Sequence, residues 1–259
     1  MLSSKELKDK FSFIPDEYLD TKKLDDLFKD RFEESNKHFY HVQRDKYIGT
    51  TKNKNKINVQ TIETNHNDIF AFSSIKPLNN KSQTNGKKLT VVAIGANPYG
   101  EDNSSPEEMH AANEEHPYFE TTRRNLINRV TFTMNEQNKN ADNKIQLGEF
   151  IQLDLFCDRT KNSGDINTAD PTATIGKCNP AIINYWVSKA DWLIPCWGQK
   201  PDEDLAKLEN YNDFIKNDIL KEYKASKKGS IYLLASDKNY PAHPNQRGLH
   251  VYIPLVPYK

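Results

Sequence analysis

The sequence carries no surplus of charge of either sign. Its 259 residues include 36 Lys and Arg and 36 Asp and Glu, so the formal net charge is zero. Proteins that bind nucleic acid chiefly through its phosphates tend to be basic, because each such contact pairs a cation with a phosphate. The composition therefore argues against generic nucleic-acid binding, although it leaves room for a local basic patch.

Cysteines and long apolar runs are scarce too. The three cysteines are Cys157, Cys178 and Cys196, and their spacing matches no zinc site. Two of them fall in or beside predicted buried strands, where a free thiol behaves as a small apolar side chain. The first residues, MLSSKELKDKF, lack the apolar core of a signal peptide, and no apolar run approaches the length of a membrane span. We therefore expect a cytoplasmic protein with reduced thiols, no membrane partner and no cofactor.

Four short apolar runs, each followed by polar or glycine-containing turn residues, organise the chain. They are residues 89–94, 150–156, 192–198 and 230–236. The first, within KLTVVAIGANPYG, is rich in β-branched residues and too short for a helix, which is typical of a buried parallel strand. Ligands of open α/β sheets bind at the carboxyl ends of strands, so we expect the functional site in the four loops that follow these runs.

Three helices are predicted around these strands, because apolar residues recur at helical spacing. The first is capped by Thr121 or Thr122, the second spans residues 179–189, and the third is a long amphipathic helix over residues 201–223. Together with the strands they predict an α/β fold with three α/β/α layers around a four-stranded, mainly parallel sheet.

Residues 1–88 are predicted to form an N-terminal extension, packed on a domain at residues 89–259. Apolar side chains at helical spacing indicate a helix over residues 20–35. Residues 57–64 and 69–75 predict the two strands of a β-hairpin. The alternative for this extension is an arm that binds a partner or contacts DNA.

Asp154 is an acidic residue inside an apolar strand. Period-two alternation places its side chain on the opposite face of the strand from Leu153 and Leu155. A buried carboxylate is costly unless it is paired. Two interpretations stay open: a salt bridge with Arg159 or with an arginine of the first predicted helix, or an acceptor that contacts a ligand near the end of the strand.

Three further features have both a structural and a functional interpretation. Arg123, Arg124 and Arg129 form the solvated face of the first predicted helix, or they contact phosphates if that face lies at the strand ends. Trp197 packs in the core or stacks on a flat ligand. His243, in a turn constrained by the following proline, is a structural residue or a catalytic one.

The landmarks GANPYG, DLFCDRT, DPT, WG and HP follow one another along the second part of the chain. In order and spacing they resemble the domain-of-unknown-function family 1643 of bacteria and phages, over about residues 89–258. The same order is similar to that of the uracil-DNA glycosylase superfamily, which has four parallel strands between helices. The resemblance implies a uracil-DNA glycosylase-like fold and an enzyme that hydrolyses the N-glycosidic bond of a base in DNA.

The resemblance also implies roles for individual residues. Asn97 matches the position that orients the attacking water, and His243 matches the residue that stabilises the departing base. Asp154 takes the place of a base-reading Asn. The complete predicted site comprises Asn97 and His243 for catalysis; Gly95, Tyr99, Asp154, Phe156 and Trp197 for the base pocket; and Arg123, Arg124, Arg159 and Arg247 for phosphate or DNA contacts.

The chemistry of these residue types agrees with such roles. Cleaving an N-glycosidic bond needs a positioned water and a hydrogen-bond donor for the charge that develops on the base. Asn97 can position water but is a poor base, so catalysis would depend mainly on His243 at the leaving group. A flipped-out base would stack on Tyr99 or Trp197. Ionised Asp154 only accepts hydrogen bonds, which suits amino or imino donors of guanine or cytosine derivatives and disfavours uracil.

We therefore expect a DNA glycosylase-like enzyme that acts on a modified or non-uracil base, in DNA or in a nucleotide, with a role in phage biology or host defence. The alternative is an inactive module of the same fold that binds DNA, a nucleotide or a nucleobase. A third interpretation is a protein-interaction factor that works through residues 1–88. A metal-dependent hydrolase is least favoured, because its candidate ligands come from separate loops without ligand-type spacing. Those candidates are Asp154, Asp158, Asp170 and His243.

Overall fold

The computed structural model of the chain describes residues 1–33, 39–44, 59–64, 70–77, 86–97, 118–158, 166–226, 228–235, 240–244 and 254–258. Within these residues the protein has a mixed α/β fold. None of the described helices has both the length and the apolar character that crossing a bilayer requires.

Strands and helices alternate through the second part of the described chain. The strands are β1 (Phe39–Arg44), β2 (Val59–Thr64), β3 (Phe72–Pro77), β4 (Lys87–Gly95), β5 (Ile145–Asp154), β6 (Trp192–Pro195), β7 (Ser230–Leu233) and β8 (Val256–Pro257). The α-helices are α1 (Ser4–Lys10), α2 (Thr21–Lys29), α3 (Tyr118–Asn138), α4 (Pro171–Ile175), α5 (Asn179–Lys189), α6 (Gln199–Ala206), α7 (Glu209–Asp213) and α8 (Glu222–Ser226). A 3-10 turn (Asp16–Tyr18) and a π-helix (Phe214–Lys221) complete the described elements.

The sheet is larger than the four strands predicted. Its order is β1-β2-β3-β5-β4-β6-β7-β8. β4 pairs in parallel with β5 and β6, and β6 pairs in parallel with β7, so the four predicted strands are neighbours. The expectation of a four-stranded sheet is nevertheless wrong, because β3 pairs antiparallel with β5 and β8 pairs antiparallel with β7. The sheet is therefore mixed.

The predicted hairpin forms part of this sheet. β2 and β3 pair antiparallel, as the sequence predicted, and β1 pairs antiparallel with β2 at the edge. These strands lie before residue 88, yet they continue the sheet formed by the strands that follow it. The division of the chain into an extension and a domain at this residue stays a prediction.

A hydrophobic cluster covers each face of the sheet. Along β4, Val92 and Ile94 belong to one cluster, whereas Val91 and Ala93 belong to the other, as the alternation of strand side chains requires. Helices α1, α2 and α5 bury their apolar side chains in the first cluster, which we call the α5 face. The second cluster, the α3 face, is covered by α3 through Leu126, Ile127, Val130 and Met134.

The N-terminal helices have clear capping signals. Ser3 and Glu6 form a capping box at α1, and the Asp20 side chain accepts a hydrogen bond from Lys22 N at α2. α2 buries Leu24 and Phe28 and ends at Lys29, so it is shorter than the predicted helix over residues 20–35.

The orientation of α3 is fixed at its C-terminal end. The Asn138 side chain donates to Ile145 O (2.7 Å) and accepts from Ile145 N (2.8 Å), at the first residue of β5. The N-terminal turns of α3 therefore lie toward the carboxyl ends of the parallel strands. α3 begins at Tyr118, so Thr121 and Thr122 are inside the helix and the predicted cap is wrong.

The single long helix predicted over residues 201–223 is also wrong. α6 ends at Ala206, and α7 is followed by the π-helix and α8. The Lys10 ammonium donates to Asp213 and Asp218, five residues apart at the start and in the middle of the π-turns. These two contacts link α1 to the π-helix that interrupts the predicted helix.

Candidate functional site

The strands that follow β4 in the chain lie on opposite sides of it, and this reversal of strand order marks the candidate site. β5 lies on one side of β4 and β6 on the other. The β4–β5 connection contains α3, and the β5–β6 connection contains α5, which cover opposite faces of the sheet. Ligands of doubly wound sheets bind outside the carboxyl ends of the strands at such a point. The ends of β4, β5 and β6, at Gly95, Asp154 and Pro195, therefore frame the site.

Asp154 and Gly95 are paired neighbours on β5 and β4. Asp154 is 7% exposed, and its carboxylate lies directly against the Gly95 backbone. A Cβ atom on Gly95 would approach Asp154 Oδ1 to less than 3.0 Å and would lie 3.6 Å from Cγ. The absence of a side chain at position 95 is therefore what makes room for the carboxylate.

The side chain of Asp154 lies on the α3 face, as the alternation predicted. Leu153 and Leu155 belong to the cluster of the α5 face. The Cys196 thiol, in the cluster of the α3 face, donates to Ile94 O (3.3 Å). Burial and the nearby charge of Asp154 both raise the pKa of this thiol, so Cys196 stays neutral and is not an activated nucleophile.

The backbone just after Asp154 is held in place by two buried side chains. Asn179 is fully buried at the start of α5, and its amide donates to Asp154 O (2.9 Å) and Leu155 O (3.1 Å). The Tyr211 hydroxyl donates to Leu155 O (2.5 Å). Backbone bonds from Leu155 N to Gly95 O (3.1 Å) and from Phe156 N to Ala96 O (3.0 Å) continue the strand pairing. These contacts fix the backbone at the end of β5. The sequence did not predict the role of Asn179, because its position indicates only the first residue of a helix.

His243 lies at the end of β6, against Gly198. Gly198 has φ +87°, and its N donates to Pro241 O (2.7 Å). A Cβ at this position would lie 3.2 Å from the Cβ of His243, so a glycine meets both the backbone and the packing requirement. His243 is half-buried, and burial lowers the pKa of its imidazole. The ring is therefore neutral near pH 7 and can donate one N–H hydrogen bond without carrying charge.

Phe156 and Trp197 lie in the core of the α5 face. Phe156 is fully buried, and Trp197 is 1% exposed. The Trp197 indole N–H donates to Asp202 Oδ1 (2.9 Å), and the Lys216 ammonium lies 5.3 Å from the ring centroid. A base can stack on either ring only if the packing around it opens, so the structural interpretation fits Trp197 in this conformation.

Arg123 and Arg129 do not lie on a solvated face of α3, because each is only 3% exposed. Arg129 donates to Leu234 O (2.8 Å) and Pro254 O (3.2 Å), and burial lowers the pKa of its guanidinium to about 10. Arg129 therefore holds together the residue that follows β7 and the segment that precedes β8. Arg123 lies one turn before Leu126, on the side of α3 that faces the sheet and near the strand ends.

The remaining predicted residues divide between described and undescribed parts of the chain. Asn97 is described and half-buried, two residues after Gly95. Of Arg124 only the backbone, within α3, is described. Tyr99, Arg159 and Arg247 lie outside the described residues.

The candidate metal ligands on the loops make other contacts. Asp170 caps α4, accepting from Thr172 N (3.1 Å) and Ala173 N (3.1 Å), and Asp158 accepts from Asn167 N (3.0 Å). Within the described ranges, no cluster of three or more His, Cys, Asp or Glu side chains is arranged to hold a metal ion.

A polar side chain that sequence reasoning missed lies beside Asp154. Gln152 precedes it by two residues on β5, on the same face of the sheet, and is 7% exposed. The motif FIQLDLF contained the signal, because Gln152 and Asp154 are both polar positions in an otherwise apolar run. Period-two alternation applied to both residues would have identified the pair.

Comparisons with family models, with curated proteins and with solved structures find no match for this chain. The strand ends carry a nearly enclosed carboxylate at Asp154, an amide at Asn97 and a neutral imidazole at His243. This set can accept hydrogen bonds from a flat polar ligand, position water and donate to a developing negative charge.

Proposed function

We propose that this protein is a glycosylase-like enzyme that binds a non-uracil base of DNA or of a nucleotide and hydrolyses its N-glycosidic bond. The observation that carries the proposal is the Asp154 carboxylate, enclosed against Gly95 at the carboxyl end of a parallel strand. This position is at the edge of the sheet where ligands of doubly wound sheets bind, so the carboxylate is an acceptor placed beside the expected ligand. The motif order that resembles the uracil-DNA glycosylase superfamily supports the same function and the same fold.

His243 fits the leaving-group side of this reaction. Water adds at C1′ of the sugar and loses one proton to solvent, the C1′–N bond breaks, and its electron pair goes to the base, which later takes a proton from solvent. A neutral imidazole N–H can stabilise the charge on the departing base, and burial favours the neutral form of His243. Asn97, just beyond the end of β4, is the residue that would orient the water.

Base release is the direct test. The protein is incubated with single-stranded and duplex DNA that carries one defined normal or modified base, and with the matching free nucleotides, and released base is measured by mass spectrometry. We expect release from at least one substrate, with a roughly 100-fold slower rate for His243→Ala, which removes the donor, and a comparable loss for Asn97→Ala. Asp142→Asn, in the exposed turn before β5, and His41→Ala, on edge strand β1, are controls that should leave the rate unchanged. A release rate that His243→Ala leaves intact contradicts the mechanism.

A binding module without turnover is the second candidate. The side chain that would position the water favours it, because the Asn97 amide is a poor general base. Tight binding of a base or nucleotide, without release of any base, would select this function. Absence of both binding and release would exclude both.

A further inference from the structure

Arg129 contacts both ends of the chain segment that carries His243. This segment, residues 234–255, connects β7 to β8, and we call it the β7–β8 segment. One guanidinium nitrogen of Arg129, Nη2, donates to Leu234 O (2.8 Å) at the start of the segment and to Pro254 O (3.2 Å) near its end. Arg129 is 3% exposed, so these contacts lie inside the protein. The guanidinium therefore joins the two ends of the segment to α3.

Thr133, one turn later on α3, makes a second contact with the end of the segment. Its hydroxyl accepts a hydrogen bond from Leu255 N (2.9 Å) and donates to Arg129 O (2.7 Å). Both Thr133 and Leu255 are buried. Residues four apart lie on the same face of a helix, so one face of α3 holds the end of the segment through two side chains.

The strand pairing at the base of the β7–β8 segment is short. β8 has two residues, and among the described residues its pairing with β7 ends at Leu233 and Val256. Pro254 has no N–H group, so it cannot donate to this ladder. Arg129 supplies the contacts that come directly after the ladder, at Leu234 O and Pro254 O. Because a short antiparallel pair is marginally stable by itself, the contacts from α3 determine how firmly the segment is held.

The residues next to His243 contact both the α3 face and the end of β6. Ala242 is 1% exposed and belongs to the cluster of the α3 face. Pro241 O accepts from Gly198 N (2.7 Å), and His243 lies against Gly198. Movement of the β7–β8 segment away from α3 would therefore displace the imidazole from its place beside Gly198.

We infer that Arg129, assisted by Thr133, is a positioning residue for His243: by holding both ends of the β7–β8 segment against α3, it keeps the imidazole beside Gly198 at the end of β6. α3 is a fixed support, because the Asn138 side chain bonds to the first residue of β5. In this role Arg129 acts through the backbone of the segment. The consequence for base release rests on the proposed function, whereas the position of His243 does not.

Hydrogen exchange of backbone amides, measured by NMR on the full chain, tests this inference. The Gly198 amide reports on the β7–β8 segment, because its hydrogen bond to Pro241 O is lost when the segment moves. The Leu155 amide, which donates to Gly95 O, reports on the sheet. Arg129→Met keeps a long side chain but removes the donors. In this variant we expect the Gly198 amide to exchange roughly tenfold faster relative to the Leu155 amide.

Two further variants provide the matched control and an independent test. Gln137→Met is the control, because Gln137 also lies on α3 but donates to the Tyr232 hydroxyl within β7 (2.8 Å). It should leave the relative exchange of the Gly198 amide unchanged. Thr133→Val removes the acceptor of Leu255 N with little change in shape, so we expect a change in the same direction as in Arg129→Met.

The position of His243 is measured directly by its own titration. Burial lowers the pKa of this imidazole, so Arg129→Met should bring the pKa closer to 6.5 in an NMR titration, and Gln137→Met should not. With a substrate that releases its base, Arg129→Met should lower the release rate at saturating substrate roughly tenfold, because the donor is misplaced.

The outcomes separate this inference from the proposed function. Unchanged relative exchange of the Gly198 amide in Arg129→Met overturns the positioning role. Faster exchange with an unchanged His243 pKa, or equal changes in Gln137→Met, overturns it as well. The expected changes in exchange and pKa support the positioning role even if the wild-type protein releases no base, a result that counts against the proposed function alone. If Arg129→Met does not fold, as judged by circular dichroism, the same two measurements on Thr133→Val decide.

Discussion

Gly95→Ala tests the local geometry at the centre of the site. No left-handed φ is found at Gly95, so an alanine is compatible with its strand backbone. The added methyl would lie within 3.0 Å of Asp154 Oδ1, whereas ordinary contacts begin at 3.4 Å. The carboxylate must therefore shift in a buried environment, and such overpacking typically costs about 1–3 kcal/mol of unfolding free energy.

A double-mutant cycle with Asp154→Ala isolates that clash. Without the carboxylate, the nearest remaining group to the new methyl is the Gln152 amide nitrogen at 3.7 Å, an ordinary contact. In this background we expect Gly95→Ala to be neutral or stabilising by about 0.5 kcal/mol, because glycine is unfavourable within a strand. The coupling energy between the two positions should then be about 1–3 kcal/mol.

The assay is urea unfolding followed by circular dichroism and tryptophan fluorescence for the wild-type protein, both single variants and the double variant. Equal m-values across the four proteins are needed for the free energies to be compared. An equal cost of Gly95→Ala in both backgrounds would refute the placement of Asp154 against Gly95. Loss of nucleotide binding by Gly95→Ala in an otherwise folded protein is the functional counterpart.

Three other predictions concern the surroundings of the site. Gly198→Ala should lower the unfolding free energy by about 1–2 kcal/mol, because Gly198 has φ +87°, and thermal unfolding measures this. Burial lowers the pKa of His243 below the ordinary histidine pKa of 6.5. The contribution of the neutral imidazole to the unfolding free energy is therefore present above pH 6.5 and is lost as the pH falls through the lower pKa of the folded state. An NMR titration should give a pKa below 6.5, and His243→Gln should remove that part of the pH dependence. Lys10→Met should cost about 1 kcal/mol, less at high salt, because Lys10 bridges Asp213 and Asp218; a cost that does not change with salt argues against the bridge.

The parallel block of the sheet was predictable from local sequence. β4 and β6 are short apolar runs that end in turn residues, and such runs have few alternatives to a buried strand. The extension of the sheet by β1 to β3 was not, because pairing of β3 with β5 joins segments more than 70 residues apart in the chain. A hairpin predicts its own two strands but not the sheet that it joins.

The break in the predicted helix at residues 201–223 shows another limit. Leu205, Leu208, Tyr211 and Phe214 are all buried, as the helical pattern required. A helix interrupted by a turn and then by a π-helix buries the same side chains, so their spacing does not reveal the interruption. The spacing predicted which side chains are in the core, not the path of the backbone.

The candidate site was predicted in part for the same reason. The alternation of the strand placed Asp154 opposite Leu153 and Leu155, because a strand has a fixed period. The burial of Trp197 and Arg123 depends on how helices pack over the strand ends, and a charge or an aromatic ring in a sequence does not report that packing. Gln152 was overlooked although the same alternation applies to it.

The most direct measurement of the central claim is a map of backbone amide chemical shifts in isotope-labelled protein titrated in turn with each of the common nucleoside monophosphates. With at least one of them, changes concentrated at Gly95, Leu155 and Gly198, at the carboxyl ends of β4, β5 and β6, are the predicted result. Changes confined to other surfaces, or spectra that every nucleotide leaves unaltered at saturating concentration, would contradict it.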